Sequence, residues 1–159
     1  MQERWKPSVT VAGIVERGGR YLLVEEQTAE GLRLNNPAGH LEAGETLLRA
    51  VVREVLEETA HPFTPDALVG VYLARRGGVN DVTYLRFAFT GAVADAIAGR
   101  ALDAGIRRTL WLSADEVRAS AGRHRSPLVL RCLEDHLAGR RWPLDVLWSD
   151  LSGYASTSS

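Results

Sequence analysis

Cysteine is almost absent from this chain: its 159 residues include one, Cys132. No intrachain disulfide can form, so a reducing compartment, the cytoplasm, is the expected setting. An excess of charge of one sign is lacking too. Nineteen Lys and Arg against 20 Asp and Glu leave a formal net charge of −1, which offers no global attraction to nucleic acid or an anionic membrane. Any phosphate recognition therefore has to be local, from a few basic side chains, a helix N-terminus or a bound metal. Long hydrophobic runs are also missing. Nothing approaches the roughly 18 apolar residues needed to span a bilayer, and Met1 to Pro7 lacks the charged-then-apolar layout of a secretory leader. Neither an internal repeat nor a second core is visible.

What is present is ordinary for a soluble globular protein: 45% hydrophobic and 25% charged residues, enough for one substantial core. The expectation is a single domain over residues 1–159, with a small polar tail fraying from Ser152 to Ser159. Ser8 to Val15 and Tyr21 to Glu26 are β-branched, apolar runs, and Gly18-Gly19 between them predicts a hairpin. Residues 27–45, rich in Gly, Asn and Pro, read as a long loop with a short extended piece at Pro37 to Gly39. Thr46 to Thr59 is the strongest helix, stopped by His61-Pro62. Strands are expected at Ala67 to Ala74, Thr83 to Gly91 and Arg108 to Leu112, with a turn from Arg76 to Asp81 and a loose segment from Ala92 to Gly105. Ser113 and Glu116 form a capping-box pattern before a short helix. Ser126-Pro127 opens a last helix ending near Gly139. The sum is an α/β chain with a mixed sheet and helices on its faces.

The Thr46 to Thr59 helix carries the chemistry. At about 100° per residue, Leu48, Val52, Val55, Leu56 and Thr59 fall on one side, the predicted docking stripe. Glu54, Glu57 and Glu58 fall on another, roughly 140° away by the same helical geometry. As surface design this cluster is unfavourable. Glu54 and Glu58 are like charges at i and i+4, and all three lie in the half of the helix whose dipole favours cations. Only Arg53 is close enough in sequence to relieve them. A solvated polar face and a metal site are the two readings the cluster allows. Three carboxylates are hard oxygen ligands, suited to Mg²⁺ or Mn²⁺ rather than zinc.

The flanking residues resemble the signature of the Nudix hydrolase family: Gly, five residues, Glu, seven residues, Arg-Glu, an aliphatic, any residue, Glu-Glu, any residue, Gly, an aliphatic. Gly39, Glu45, Arg53, Glu54, Val55, Glu57 and Glu58 match at that spacing. Chance agreement at the six fixed positions is on the order of 10⁻⁵ for a chain this long. Ala60 stands where the signature has its second Gly, and His61 where it has an aliphatic residue, so the C-terminal turn of the helix departs from the pattern. The resemblance implies an α/β/α sandwich with a mixed central sheet. It implies metal held by Glu54, Glu57 and Glu58 and the carbonyl of Ala38, with Arg53 orienting a carboxylate, Glu45 bracing Arg53, and Gly39 allowing close backbone approach. Glu57 or Glu58 is the expected proton acceptor. Asp103 lies in a loop where many relatives place a distal acid; a plain loop aspartate is the reading preferred for it.

The chain is further similar to the NudJ-type branch, through Pro7 to Ala12, Leu23 to Glu26, Asn36 to Glu42, Leu85-Arg86-Phe87, Trp111 to Glu116, Arg125 to Val129 and Gly139 to Leu144. That likeness implies hydrolysis of nucleoside tri- and diphosphates, and of thiamine diphosphate and its pyrimidine precursor diphosphate. A nucleotide sugar, a dinucleotide or an oxidised nucleotide is the alternative substrate, and a non-catalytic nucleotide sensor the alternative class. The expected partner is a small phosphorylated molecule, not nucleic acid or membrane, bound by a monomer or homodimer. Arg86, Arg125, Arg131 and His40 are the candidate substrate contacts, with surface arginine as the bland reading of each Arg. His61 reads as a helix-end residue, and Cys132 and Trp111 as core. Trp142 and Trp148 either cover the pocket or pack the C-terminal segment.

Overall fold

Gly18 and Gly19 both take positive φ, 58° and 79°, as a two-residue type I′ hairpin turn requires. They join β2 (Glu16–Arg17) to β3 (Arg20–Thr28). The computed structural model describes residues 1–77 and 81–152; part of the expected Arg76 to Asp81 turn and nearly all of the expected frayed tail lie outside them. One expectation is corrected at the start of the chain. β1 (Ser8–Gly13) does not share the hairpin with β3. It pairs in parallel with β7 (Val82–Val93) and antiparallel with β5 (Ala38–His40). Val11 and Ala12 are both fully buried, so the strand is covered on both faces and needs a partner on each side.

The predicted 27–45 loop is corrected at β4 (Gly31–Asn35), while its short extended piece at Pro37 to Gly39 is borne out within one residue by β5. β4 runs antiparallel to β3, and β5 follows it. Leu32 and Leu34 are the only apolar residues β4 offers, between Gly and Asn, which is why its pattern did not read as a strand. Among the described residues the sheet is mixed and divided in two. One part has the order β5-β1-β7-β6, with β6 at Phe63–Arg76; in the other, β3 carries β2, β4 and β8 (Ile106–Ser113).

Neighbouring strand residues go to opposite sides, as the two-residue period demands. Val11, Leu22, Leu68 and Phe89 meet Ala50, Val51 and Val55 of α1 (Leu47–Thr59) on one side. Tyr21, Leu23, Val69 and Ala88 meet Val117 of α2 (Ala114–Ala119) and Val129, Cys132 and Leu133 of α3 (Leu128–Leu137) on the other. This is the expected α/β/α sandwich. α2 starts with the full capping box, Ser113 accepting from the Glu116 N–H and the Glu116 carboxylate from the Ser113 N–H. No helix among the described residues is long and apolar enough to cross a membrane.

The docking face of α1 is rotated from the one expected. Ala50, Val51, Glu54, Val55, Glu58 and Thr59 are the buried residues. Leu48, Val52 and Leu56 are only half-buried and line an open groove with Arg49 and Arg100. Helix-wheel apolarity alone favours the three aliphatic positions. The buried face is instead the one whose two carboxylates find partners on β5 and in the preceding residue.

Candidate active site

Thr46 begins α1 by accepting from the Arg49 N–H at 3.1 Å, which aims the second half of the helix along the edge of β5. Arg53 then organises what surrounds it. Its Nε and Nη2 donate to the two oxygens of Glu45 at 3.1 and 2.7 Å, a bidentate pair. Nη2 also reaches the His40 carbonyl at 3.0 Å, and Nη1 reaches Glu54 at 2.7 Å and Glu57 at 3.3 Å. The N–H of Glu42 donates to Glu45 at 2.8 Å, so loop, arginine and helix are tied in one network. Hydrogen bonding from Arg53 holds the Glu45 carboxyl below the ordinary range and raises the guanidinium in turn.

Gly39 lies directly against Glu54. A Cβ there would fall 2.1 Å from the Glu54 Cδ and Oε1. Its φ is not positive, so close approach, not backbone conformation, is what requires glycine. Glu54 is 8% exposed; burial pushes its carboxyl up, and the hydrogen bond from Arg53 pulls it back.

The three box glutamates do not converge as one patch. Oxygens of Glu54, Glu57 and Asp103 lie within 4.8 Å of one another, whereas Glu58 is outside this group. Glu58 turns to β5, where it accepts from the Ala38 N–H at 2.7 Å. At 6% exposure, burial pushes its carboxyl up to about 8 against that hydrogen bond, with Glu54, Glu26 and Asp103 adding to the rise.

Asp103, read from the sequence as a plain loop residue, stands beside Glu54 and Glu57. The C-terminal carbonyls of a helix lack intrahelical donors, and here the following loop supplies them: the Asp103 N–H donates to the Glu57 carbonyl at 3.0 Å and the Ile97 N–H to that of Ala60 at 2.9 Å. Satisfying the helix end brings the Asp103 side chain to the carboxylates. Ala60 itself closes α1 in the left-handed conformation, φ 61° and ψ 6°, as the glycine of the signature would.

Beside β5 opens a cleft of about 340 Å³. Ala38, Gly39 and His40 form the wall it shares with the carboxylates, and Thr10, Glu26, Asn35, Tyr84, Arg86 and Arg125 also line it. Of the expected substrate contacts, His40, Arg86 and Arg125 are here. Arg131 is not among the lining residues; it pairs with Asp135 at 3.0 Å along α3. The His40 ring stands 6.3 Å from that of Tyr84, and Arg125 pairs with Glu26 at 3.1 Å. Trp142 and Trp148 are exposed and line no part of the cleft. Trp111 is half-buried against the α1-side core, edge-on to His61. His61 is buried and bonded to the Ala94 carbonyl. Of the other lining residues, Glu26 belongs to the resemblance, whereas Asn35 and Tyr84 had no sequence signal beyond lying next to residues of it.

Hard oxygen donors within 4.8 Å, a glycine cradle beside them and an arginine fixing their orientation form a donor set that fits a divalent cation such as Mg²⁺. Comparison with known proteins agrees with this chemistry. A NUDIX domain family model matches residues 4–132. Phosphatase NudJ of Escherichia coli K12 is 37% identical over 144 residues, spanning 90% of this chain and 92% of its own, and NudJ of Shigella flexneri matches to the same extent. A solved Nudix hydrolase from Nitrosomonas europaea is 50% identical with a TM-score of 0.88, covering 92% of this chain and 99% of that one. A MutT Nudix hydrolase from Burkholderia pseudomallei, 21% identical with a TM-score of 0.70 over 82% and 98% of the two chains, shares the fold. The chain belongs to the Nudix family, as a hydrolase acting on phosphoanhydride bonds.

Proposed function

We propose that this single catalytic domain is a Mg²⁺-dependent phosphatase, Mn²⁺ substituting, for nucleoside tri- and diphosphates and for thiamine-pathway diphosphates. The observation that carries the reading is the Glu54, Glu57 and Asp103 group beside a cleft of substrate size. The substrate class rests on likeness to relatives named phosphatase NudJ. Glu54, Glu57 and Asp103 would hold the cation, with Glu58 and the Ala38 carbonyl completing the set from the β5 side. When bound, such an ion neutralises phosphate oxygens and lowers the pKa of a ligated water.

The chain's own contribution is placement. Arg53 fixes Glu54 and Glu57 at one end and Glu45 and His40 at the other. Gly39 lets the Glu54 carboxylate sit against the backbone. Glu57, half-exposed at the rim, is the proton acceptor in this reading; Glu58, buried and bonded to the Ala38 N–H, is the positioning group. His40, Tyr84, Arg86 and Arg125 face the substrate. A reducing, cytoplasmic setting suits the buried thiol of Cys132.

The test is phosphate release with Mg²⁺ from a panel of nucleoside di- and triphosphates and thiamine diphosphate, comparing wild type with Glu57→Gln. A fall of at least about 100-fold across the panel is expected, since a metal site supplies several kcal/mol of transition-state stabilisation. Unchanged turnover by Glu57→Gln would sink the assignment of Glu57. Pyrophosphate as the sole released product would move the substrate class to the alternative diphosphates.

A further inference from the structure

Arg86 sits at the middle of β7, with Thr10 of β1 on one side and Tyr72 of β6 on the other. It is 6% exposed, yet among the described residues no carboxylate lies within ion-pair distance of it. Its Nη1 and Nη2 reach the side-chain oxygens of Asn36 and Asn35, at 3.3 and 3.4 Å, long for a cationic donor, and the buried, neutral Cys132 thiol is its other neighbour. Its Nε is the one buried side-chain N or O atom among the described residues that has no hydrogen-bond partner.

The acids nearby are committed elsewhere. Glu26 serves Arg125 and the Asn35 amide. Asp135 serves Tyr72, Arg131 and Arg140. A guanidinium taken out of water without an anion is costly, and buried donors without partners are rare in native structures. Arg86 instead lines the cleft, together with Asn35, Ala38, Gly39 and Arg125.

We infer that Arg86 is a specificity-determining oxyanion receptor: its guanidinium, held by Asn35 and Asn36 but without an anionic partner among the described residues, takes a tetrahedral phosphate group in the cleft. This rests on the reading of the cleft as the substrate site, and it names which end of the substrate the cleft holds. The phosphoryl group that leaves as orthophosphate lies inward, towards Arg86, and the organic moiety lies outward past His40 and Tyr84. The planar fork of arginine matches two phosphate oxygens at once, which a lysine ammonium does not. Either the substrate's terminal phosphate or released orthophosphate can supply that group.

The inference makes opposite demands on stability and binding. Removing an unpaired buried charge leaves the ligand-free fold unharmed or stabilised, while removing its bonds to a charged ligand costs about 10- to 100-fold in affinity. Wild type, Arg86→Gln and Arg86→Lys are therefore compared by thermal unfolding and by titration calorimetry with inorganic phosphate and pyrophosphate, in a chelator so that no metal contributes. Arg86→Gln is expected to melt no lower than wild type without ligand and to bind phosphate about 10- to 100-fold more weakly. Arg86→Lys is expected to recover only part of the binding. Steady-state kinetics then separate the two sources. A raised KM for a nucleoside diphosphate assigns Arg86 to the substrate's terminal phosphate. Weaker product inhibition by phosphate, with KM unchanged, assigns it to the leaving product; both outcomes keep the receptor. An Arg86→Gln protein that melts several degrees lower without ligand and binds phosphate like wild type overturns the inference and makes Arg86 a structural residue. Because the binding assays involve no turnover, their result stands apart from whether the chain hydrolyses nucleotides.

Discussion

Gly39→Ala separates the placement of Glu54 from the stability of the fold. The added methyl would lie 2.1 Å from Glu54 Cδ and Oε1 and 2.4 Å from Oε2. Contact distances between such atoms are about 3.5–4.0 Å, so the carboxylate has to retreat by more than about 1 Å. What gives way is the far end of a flexible side chain, and the backbone at Gly39 is one any residue adopts. The stability cost therefore falls at the low end of overpacking, about 1 kcal/mol. At this chain length that is a drop of roughly 2–4 °C in melting temperature.

The effect on catalysis is different in scale. Glu54 is held on one side by Arg53 at 2.7 Å and faces Glu57 and Asp103 on the other. A shift of about 1 Å in such a group costs on the order of 100-fold in turnover. The assay pairs thermal unfolding with kcat/KM for phosphate release, and a second variant sharpens it. Adding Glu54→Asp to Gly39→Ala shortens the side chain past the clash, so stability returns while turnover stays low. The two effects are then non-additive in stability, as expected of touching residues. A well-folded Gly39→Ala enzyme with wild-type kcat/KM would refute the claim that the glycine exists to seat Glu54.

The left-handed Ala60 sets a second expectation. Glycine there relieves about 1–2 kcal/mol of strain, but it loses about 0.4–1 kcal/mol through the unfolded chain and part of the roughly 0.8 kcal/mol from a buried methyl. Ala60→Gly should lie within about 1 kcal/mol of wild type in urea unfolding by this balance, and Ala60→Val, β-branched at φ 61°, should be clearly destabilised. A large gain from Ala60→Gly would mean that the alanine is far more strained than its geometry implies. A third expectation concerns acid. Burial, with Arg141 adding, pushes His136 down to about 4; its Nδ1 is hydrogen-bonded to the Tyr21 hydroxyl at 2.7 Å. With the folded value below the unfolded one, near 6.5, this contribution is complete above about pH 6.5 and is lost as pH falls through 4, at most about 3 kcal/mol. Glu58, raised to about 8, works in the opposite direction in metal-free protein, so the quantity to measure is the difference between wild type and His136→Gln. A difference that stays flat from pH 7 to 4 would show that His136 titrates normally in the folded state.

The elements that could be read from the sequence are those whose cause is local. Thr46 and Pro62 bound α1, Gly18-Gly19 forces a turn, and Ser113 with Glu116 caps α2, because each of these acts over a few residues. β1 and β4 could not be placed this way. The partner that takes β1 out of the hairpin, β7, begins 74 residues after it, and β4 pairs through its backbone with little apolar alternation to advertise it. Asp103 is the same case within the site. Only the resemblance marks it, no pattern of the residues around it does, and it reaches Glu57, 46 positions earlier, because a helix end needed donors.

The rotation of α1 shows why the site and the fold are not separable here. A face with Leu48, Val52 and Leu56 is aliphatic and free of carboxylates, and burial without regard to partners would choose it. The face chosen instead carries Glu54 and Glu58, whose desolvation is unfavourable unless each finds a partner. Both do: Glu54 meets Arg53 and the bare backbone of Gly39, and Glu58 meets the Ala38 N–H. Two of those three partners lie on β5, 15 and 20 residues before the glutamates they serve. The helix therefore docks where β5 can receive its carboxylates, at the expense of its own aliphatic stripe, and the half-exposed Leu48, Val52 and Leu56 are the trace that choice leaves on the surface. Trading Glu58 for leucine tests this directly. Burying an apolar group in place of an acid pushed up to about 8 should leave the metal-free fold as stable or more so, while Mg²⁺-dependent turnover falls. A Glu58→Leu protein that unfolds more easily would mean that the bond to Ala38 holds the fold together, and that the carboxylate is structural first.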